Sequence, residues 1–121
     1  MLTYVHQFIL NWLFTLLVEI PALIVIGRYL FKIPHEKISL SWLILGGIFA
    51  STMTIPWVWF IFPVFFYNSM AVAIAIGEIF AFAVEAIFYV FAFKVSVRQA
   101  VVISFIANAS SFLLGQVLLH P

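Results

Sequence analysis

Glu19, Glu78 and Glu85 stand inside long apolar runs, the first in "LLVEIPALIVIG" and the other two in "GEIFAFAVEAIFYVFAFK". A charged side chain at the centre of a membrane-spanning helix costs about 2.5 to 3.5 kcal/mol on insertion scales. No basic residue lies inside any of the spans to offset it, Lys94 standing at the very end of its run. Acids in that position are held either as neutral carboxylic acids or as carboxylates beside a bound cation, so the chemistry they offer is proton or cation binding. Neutral oxygen and nitrogen groups accompany them: Ser51 and Thr54 in the second apolar run, Asn108 and Ser111 in the fourth. A purely structural use of the acids stays open, in which each is a protonated carboxyl bonded to Asn108 or to a hydroxyl.

Other chemistries find little support. The chain has no cysteine, which removes thiolate metal sites, disulfides and cysteine nucleophiles. His6, His35 and His120 lie near the ends and in a loop, without ligand spacing, so no metal or haem site is expected. No phosphate-binding loop, dinucleotide fingerprint, G-x-S-x-G or H-E-x-x-H occurs, and paired acids with no metal cage or nucleophile do not point to an enzyme. No cofactor is implied, and five basic residues are too few for a nucleic-acid partner.

The elements that must hold these residues follow from composition. Of 121 residues, 67% are hydrophobic and 7% charged, and the mean hydropathy is +1.29. That is an all-α integral membrane protein whose main partner is the lipid bilayer. A spanning helix needs about 20 residues, so the length accommodates four. Apolar runs place them at about 8 to 27, 40 to 60, 71 to 93 and 99 to 119, in a single membrane domain. Pro34 and its charged neighbours mark the first loop, Pro63 and Asn68 the second, and "KVSVR" the third. No basic residue precedes the first run and no small-residue cleavage site follows it, so that helix is expected to be retained.

Arg28, Lys32, Lys37, Lys94 and Arg98 all fall in the first and third loops. The positive-inside bias puts loops 28 to 39 and 94 to 98 in the cytoplasm and both termini outside the plasma (inner) membrane. Trp57, Trp59 and Tyr67 then belong to the outer interface, Tyr29 and Trp42 to the inner one.

The chain also aligns on itself. "VEIPALIVIGR" from Val18 matches "VEAIFYVFAFK" from Val84, and the helices starting at Ser39 and Ser96 set Gly47, Ser51 and Thr54 against Ser104, Asn108 and Ser111. Two tandem helical hairpins in parallel repeat are expected, with chance similarity between apolar sequences as the rival explanation. Counting at 1.5 Å per residue, Glu19, Glu85 and Asn108 all lie roughly 14 Å from the basic loops, and Ser51 reaches a similar depth. One level near the midplane thus receives a polar group from every helix.

On helical projection each span has one small or polar stripe: Thr15, Glu19 and Ala22; Gly47, Ser51 and Thr54; Ala73, Gly77 and Ala81 beside Glu78 and Glu85; Ser104, Asn108, Ser111 and Gly115. Small residues at this spacing ordinarily serve close helix packing. Pro21 and Pro56 each loosen the preceding turn, and the carbonyls freed around Leu17 and Thr52 are expected at the depth of the acids, available to coordinate a cation or water.

The combination of E-x-P (Glu19, Pro21), Thr54 with Pro56, E-x6-E (Glu78, Glu85) and N-x-x-S-x3-G (Asn108, Ser111, Gly115) resembles a group of small four-helix prokaryotic integral membrane proteins of no known activity. In that group the second helix tends to carry an Asn before its Thr, where this chain has Ser51. Size and helix count are also similar to the small multidrug-resistance transporters, which use one acid in the first helix. A second acidic pair in the third helix departs from them.

The reading with most support is a small transport protein or permease subunit with a midplane site for a cation or a proton-coupled solute. Glu19 and Glu85 form the site, Asn108, Ser51, Thr54 and Ser111 supply neutral ligands, and Glu78 lines the route from outside. Four helices enclose little volume, so a homodimer or a larger membrane complex is expected. The rival is an accessory or assembly subunit, whose acids would face another chain.

Overall fold

The computed structural model describes residues 2–118, and His120 lies outside them. Four helices long and apolar enough to cross a membrane run through Thr3–Leu30, Leu40–Phe65, Met70–Phe93 and Val97–Leu118. There is no strand among the described residues. The chain is a small multi-pass membrane protein.

The first span is α1 (Leu2–Val25) continued by a wide turn of π-helix, Ile26–Leu30. Lys32 closes it in the left-handed conformation, with φ 54°. The loop that follows is braced from within, as the Arg28 guanidinium donates to the carbonyls of Ile33 (2.9 Å) and Ile38 (2.6 Å). Arg28 therefore works as a fastener for the loop and forms no ion pair with the membrane acids.

α2 (Leu40–Pro56) begins at Ser39, whose hydroxyl accepts from the Trp42 amide at 3.1 Å. Past Pro56 the chain widens into a second π turn, Trp57–Ile61, and ends in one α turn, Phe62–Phe65. Pro63, expected as a turn residue, is instead part of this last helical turn. Inside this continuous span its missing amide leaves the Trp59 carbonyl free one turn back, and the Tyr4 hydroxyl donates to it. The actual reversal is Phe66 to Asn68, so the second span is longer than its apolar run suggested.

α3 (Met70–Phe93) is capped by Ser69 and closed by Lys94, again at φ 54°. α4 (Val97–Leu118) starts with a reciprocal cap: the Ser96 hydroxyl accepts from the Gln99 amide, and the Gln99 side chain accepts from the Ser96 amide.

The helices form a ring, each packed on two neighbours, with α1 facing α3 across one diagonal and α2 facing α4 across the other. Outward positions are large and apolar, among them Leu17, Phe49, Ile79, Phe91 and Phe105, as a lipid-facing surface requires. Inward positions carry the small and polar stripes: Gly47, Ser51, Thr54, Ala73, Gly77, Ala81, Ser104, Asn108, Ser111 and Gly115 are all buried. Towards the basic loops the ring closes on a dense core that includes Leu23, Ile26, Leu43, Tyr89, Phe93, Ala100 and Ile103.

Candidate functional site: a carboxyl pair at the foot of a cavity

Glu19 on α1 and Glu85 on α3 point across the diagonal to the centre of the ring and are only 2% and 1% exposed. The two carboxyl groups are neighbours there, held between the same two flanking helices. α2 and α4, on the other diagonal, supply the donors. Ser51 donates to Glu19 Oε1 at 2.9 Å and Ser111 to Glu19 Oε2 at 2.7 Å. Asn108 Nδ2 donates to Glu85 Oε1 at 3.2 Å, and Thr54 lies 2.7 Å from Glu85 Oε2. Each of the four carboxyl oxygens thus has one neutral partner, two from each flanking helix.

The pattern is self-similar. Exchanging Glu19 with Glu85, Ser51 with Asn108 and Thr54 with Ser111 maps every one of these four contacts onto another. Within each hairpin the acid takes one donor from its own second helix, and it takes the other from the opposite hairpin. Even the weaker contacts follow suit, with Thr54 reaching back to the Ser51 carbonyl at 3.4 Å and Ser111 to that of Asn108 at 3.1 Å. These are the positions that the sequence aligns with itself.

A cavity of about 270 Å³ stands on this pair and reaches the surface at the end of the bundle that carries the termini. Asn11, Thr15, Glu78 and Gln116 give it polar walls, while Ile55, Val58, Ile74 and Phe112 make the rest apolar. Tyr4 and Trp59 frame the mouth, where the Tyr4 hydroxyl donates to the Trp59 carbonyl and the two rings lie 5.2 Å apart. Among the described residues no lysine, arginine or histidine lines it.

Beneath the pair the way is shut. Tyr89, one turn beyond Glu85, is fully buried, stacks on Phe93 with ring centres 5.2 Å apart, and aims its hydroxyl at Glu85 without a hydrogen bond of sound geometry. The Phe93 ring fills the notch left by Gly46, where an added Cβ would overlap it.

The structure therefore brings together Glu19, Glu85, Ser51, Thr54, Asn108 and Ser111, and sets Glu78, half-buried, higher on the cavity wall. The prolines are a correction. Neither Pro21 nor Pro56 lines the cavity, and Pro21, Leu17 and Thr52 are exposed on the outer surface, so these residues share the depth of the acids without lining their site. The reason is angular: a proline two residues after an inward-facing side chain is rotated about 200° from it. Pro56 precedes the π turn that carries Val58 and Trp59 into the cavity wall.

Tyr89, Asn11, Gln116 and Tyr4 were not singled out from the sequence. Spacing held a signal for some of them, since Tyr89 follows Glu85 by one turn and Asn11, Thr15 and Glu19 follow one another at four-residue steps on α1.

No protein-family model, curated protein or solved structure matches the chain.

Two adjacent carboxyl groups, withdrawn from bulk water and with no basic side chain among the described residues that line the cavity, are held as neutral acids, share a proton, or are balanced by a bound cation. Among the described residues no cluster of three or more His, Cys, Asp or Glu has the geometry to hold a metal ion.

Proposed function

We propose that this chain is a membrane transport protein, or the permease subunit of one, in which Glu19 and Glu85 together bind a cation or a proton that reaches them through the cavity. Ser51, Thr54, Asn108 and Ser111 hold the carboxyl groups in register, and Glu78 attracts positive charge on the way in. The carrying observation is the inward-facing carboxyl pair at the foot of a cavity open at one end and sealed at the other. A transporter caught with access to one side has that form.

The repeated hydrogen-bond pattern supports two tandem hairpins in parallel repeat. The basic loops support a plasma-membrane orientation with both termini outside, which makes the cavity open outward. The motif resemblance to small four-helix prokaryotic membrane proteins agrees with this size and layout. A homodimer or larger complex completes the assembly, because a ring of four helices has little room to rearrange. No catalytic role belongs to this reading.

An accessory subunit would turn its acids towards a partner helix, and the interior position of both carboxyls favours transport over that. Purified protein in liposomes, with a pH-sensitive dye inside and an imposed membrane potential, gives the test. Wild type is expected to carry current that Glu19→Gln and Glu85→Gln abolish; equal flux in wild type and both variants rejects the assignment. Single cysteines test orientation, since the native chain has none. A cysteine beside Lys37 should resist an impermeant maleimide applied from outside.

A further inference from the structure

The contents of the cavity can be narrowed further, on the transport-site reading of the same residues. We propose that it takes a linear organic diammonium ion, one ammonium between Glu19 and Glu85 and the other at Glu78.

Size comes first. The cavity of about 270 Å³ corresponds to the share of about nine waters, where a bare inorganic ion or a proton would need about one. Its walls are mixed in a way an inorganic ion does not use, with Ile55, Val58, Ile74 and Phe112 between the acid pair and the mouth. Charge comes second, since the described residues that line the space bring three carboxyl groups and no base. Hydrogen-bonding capacity comes third. Ser51, Ser111, Asn108 and Thr54 already satisfy one position on each oxygen of the pair, and what remains there is acceptor capacity. An alkylammonium brings three N–H donors to such a place.

Two further side chains bear on the same ligand. The Tyr89 hydroxyl is fully buried beneath the pair and aimed at Glu85 without a hydrogen bond of sound geometry, so among the described residues nothing below the pair compensates its charge. Glu78 has no basic partner among the described residues that line the cavity and sits two helical turns above Glu85, about 10 Å along α3. A chain of about three to five carbons with an amine at each end, extended at the short end of that range and bent at the long end, covers that separation once each N–H···O contact takes its usual ~2.8 Å. The apolar wall then lies against its methylenes.

Isothermal titration of the full-length protein in lipid nanodiscs tests this with pentanediamine, pentylamine and sodium chloride. The diamine should bind about tenfold or more tightly than the monoamine, because it gains a second ion pair in a partly dehydrated space. Glu78→Gln, on a half-buried wall position, should reduce that ratio to near one while monoamine binding persists. Equal binding of the two amines by wild type would overturn the diammonium assignment. So would binding of sodium alone, although Glu19-dependent and Glu85-dependent flux in liposomes would leave the transport reading intact. No heat with any probe, together with no such flux, would remove both.

Discussion

The two halves of the bundle are built from the same four helices and behave differently. On the side of the termini, inward positions are Asn11, Thr15, Ala73, Gly77 and Gly115, small or polar, and the helices enclose open space. On the side of the basic loops they are Leu23, Leu43, Tyr89, Phe93 and Ile103, which pack into one buried cluster. The carboxyl pair sits at the junction. In lipid, helices gain little by hiding apolar surface from one another, so the closeness of each half is set by side-chain fit. Large residues opposite small ones close the lower half, as Phe93 does against Gly46. In the upper half Val58 packs close on Gly77, but Gly115 has only Phe14 at ordinary contact distance, and the cavity lies beside it.

Accessibility is the largest contrast to be broken. In a chain that lacks cysteine, Asn11→Cys or Thr15→Cys should react with a small maleimide from the side of the termini, while Leu43→Cys and Ile103→Cys should stay unlabelled over the same period. Labelling of both sets at similar rates would mean that the seal is not there.

Truncation comes next. Phe93→Ala removes the ring that plugs the lower half and should cost about 3 kcal/mol in a denaturation experiment, the usual scale for a core aromatic. The same change at Phe112, on the cavity wall, should cost much less, because its neighbours are already partly unfilled. The two glycines sharpen the point. Gly46→Ala forces the Phe93 ring aside and should destabilise by about 1 to 3 kcal/mol. Gly115→Ala meets only Phe14 at an ordinary 3.7 Å and should be neutral within about 1 kcal/mol.

The smallest effect tests the symmetry at the junction. Thr54→Val and Ser111→Ala each leave one carboxyl oxygen without its donor, and should lower stability by similar amounts, about 1 to 2 kcal/mol. A large loss in one and none in the other would show that the two hairpins do not hold their acids alike.

The shared level of Glu19, Ser51, Glu85 and Asn108 could be read from the sequence because helical rise is fixed and the basic loops supply a common origin. Their inward direction followed from the cost of placing an acid in lipid. Tyr89 and Phe93 could not be separated from Phe91 or Phe105 in that way. Where lipid and core are both apolar, a phenylalanine carries no mark of which one it faces, and only its neighbours decide. The prolines misled for another reason: their depth matched the acids, but their angle around the helix did not. Pro63 misled because a proline ends one helical turn and begins another with equal ease.

The central claim is that Glu19 and Glu85 meet. The chain has four acidic residues, all glutamate, so labelling the glutamate carboxyl carbon with carbon-13 and recording carbon–carbon correlations by solid-state NMR in lipid isolates the question. The structure predicts a strong carboxyl-to-carboxyl contact that disappears in Glu19→Gln and in Glu85→Gln and survives Glu78→Gln. No contact, or one that vanishes only with Glu78→Gln, would contradict the account.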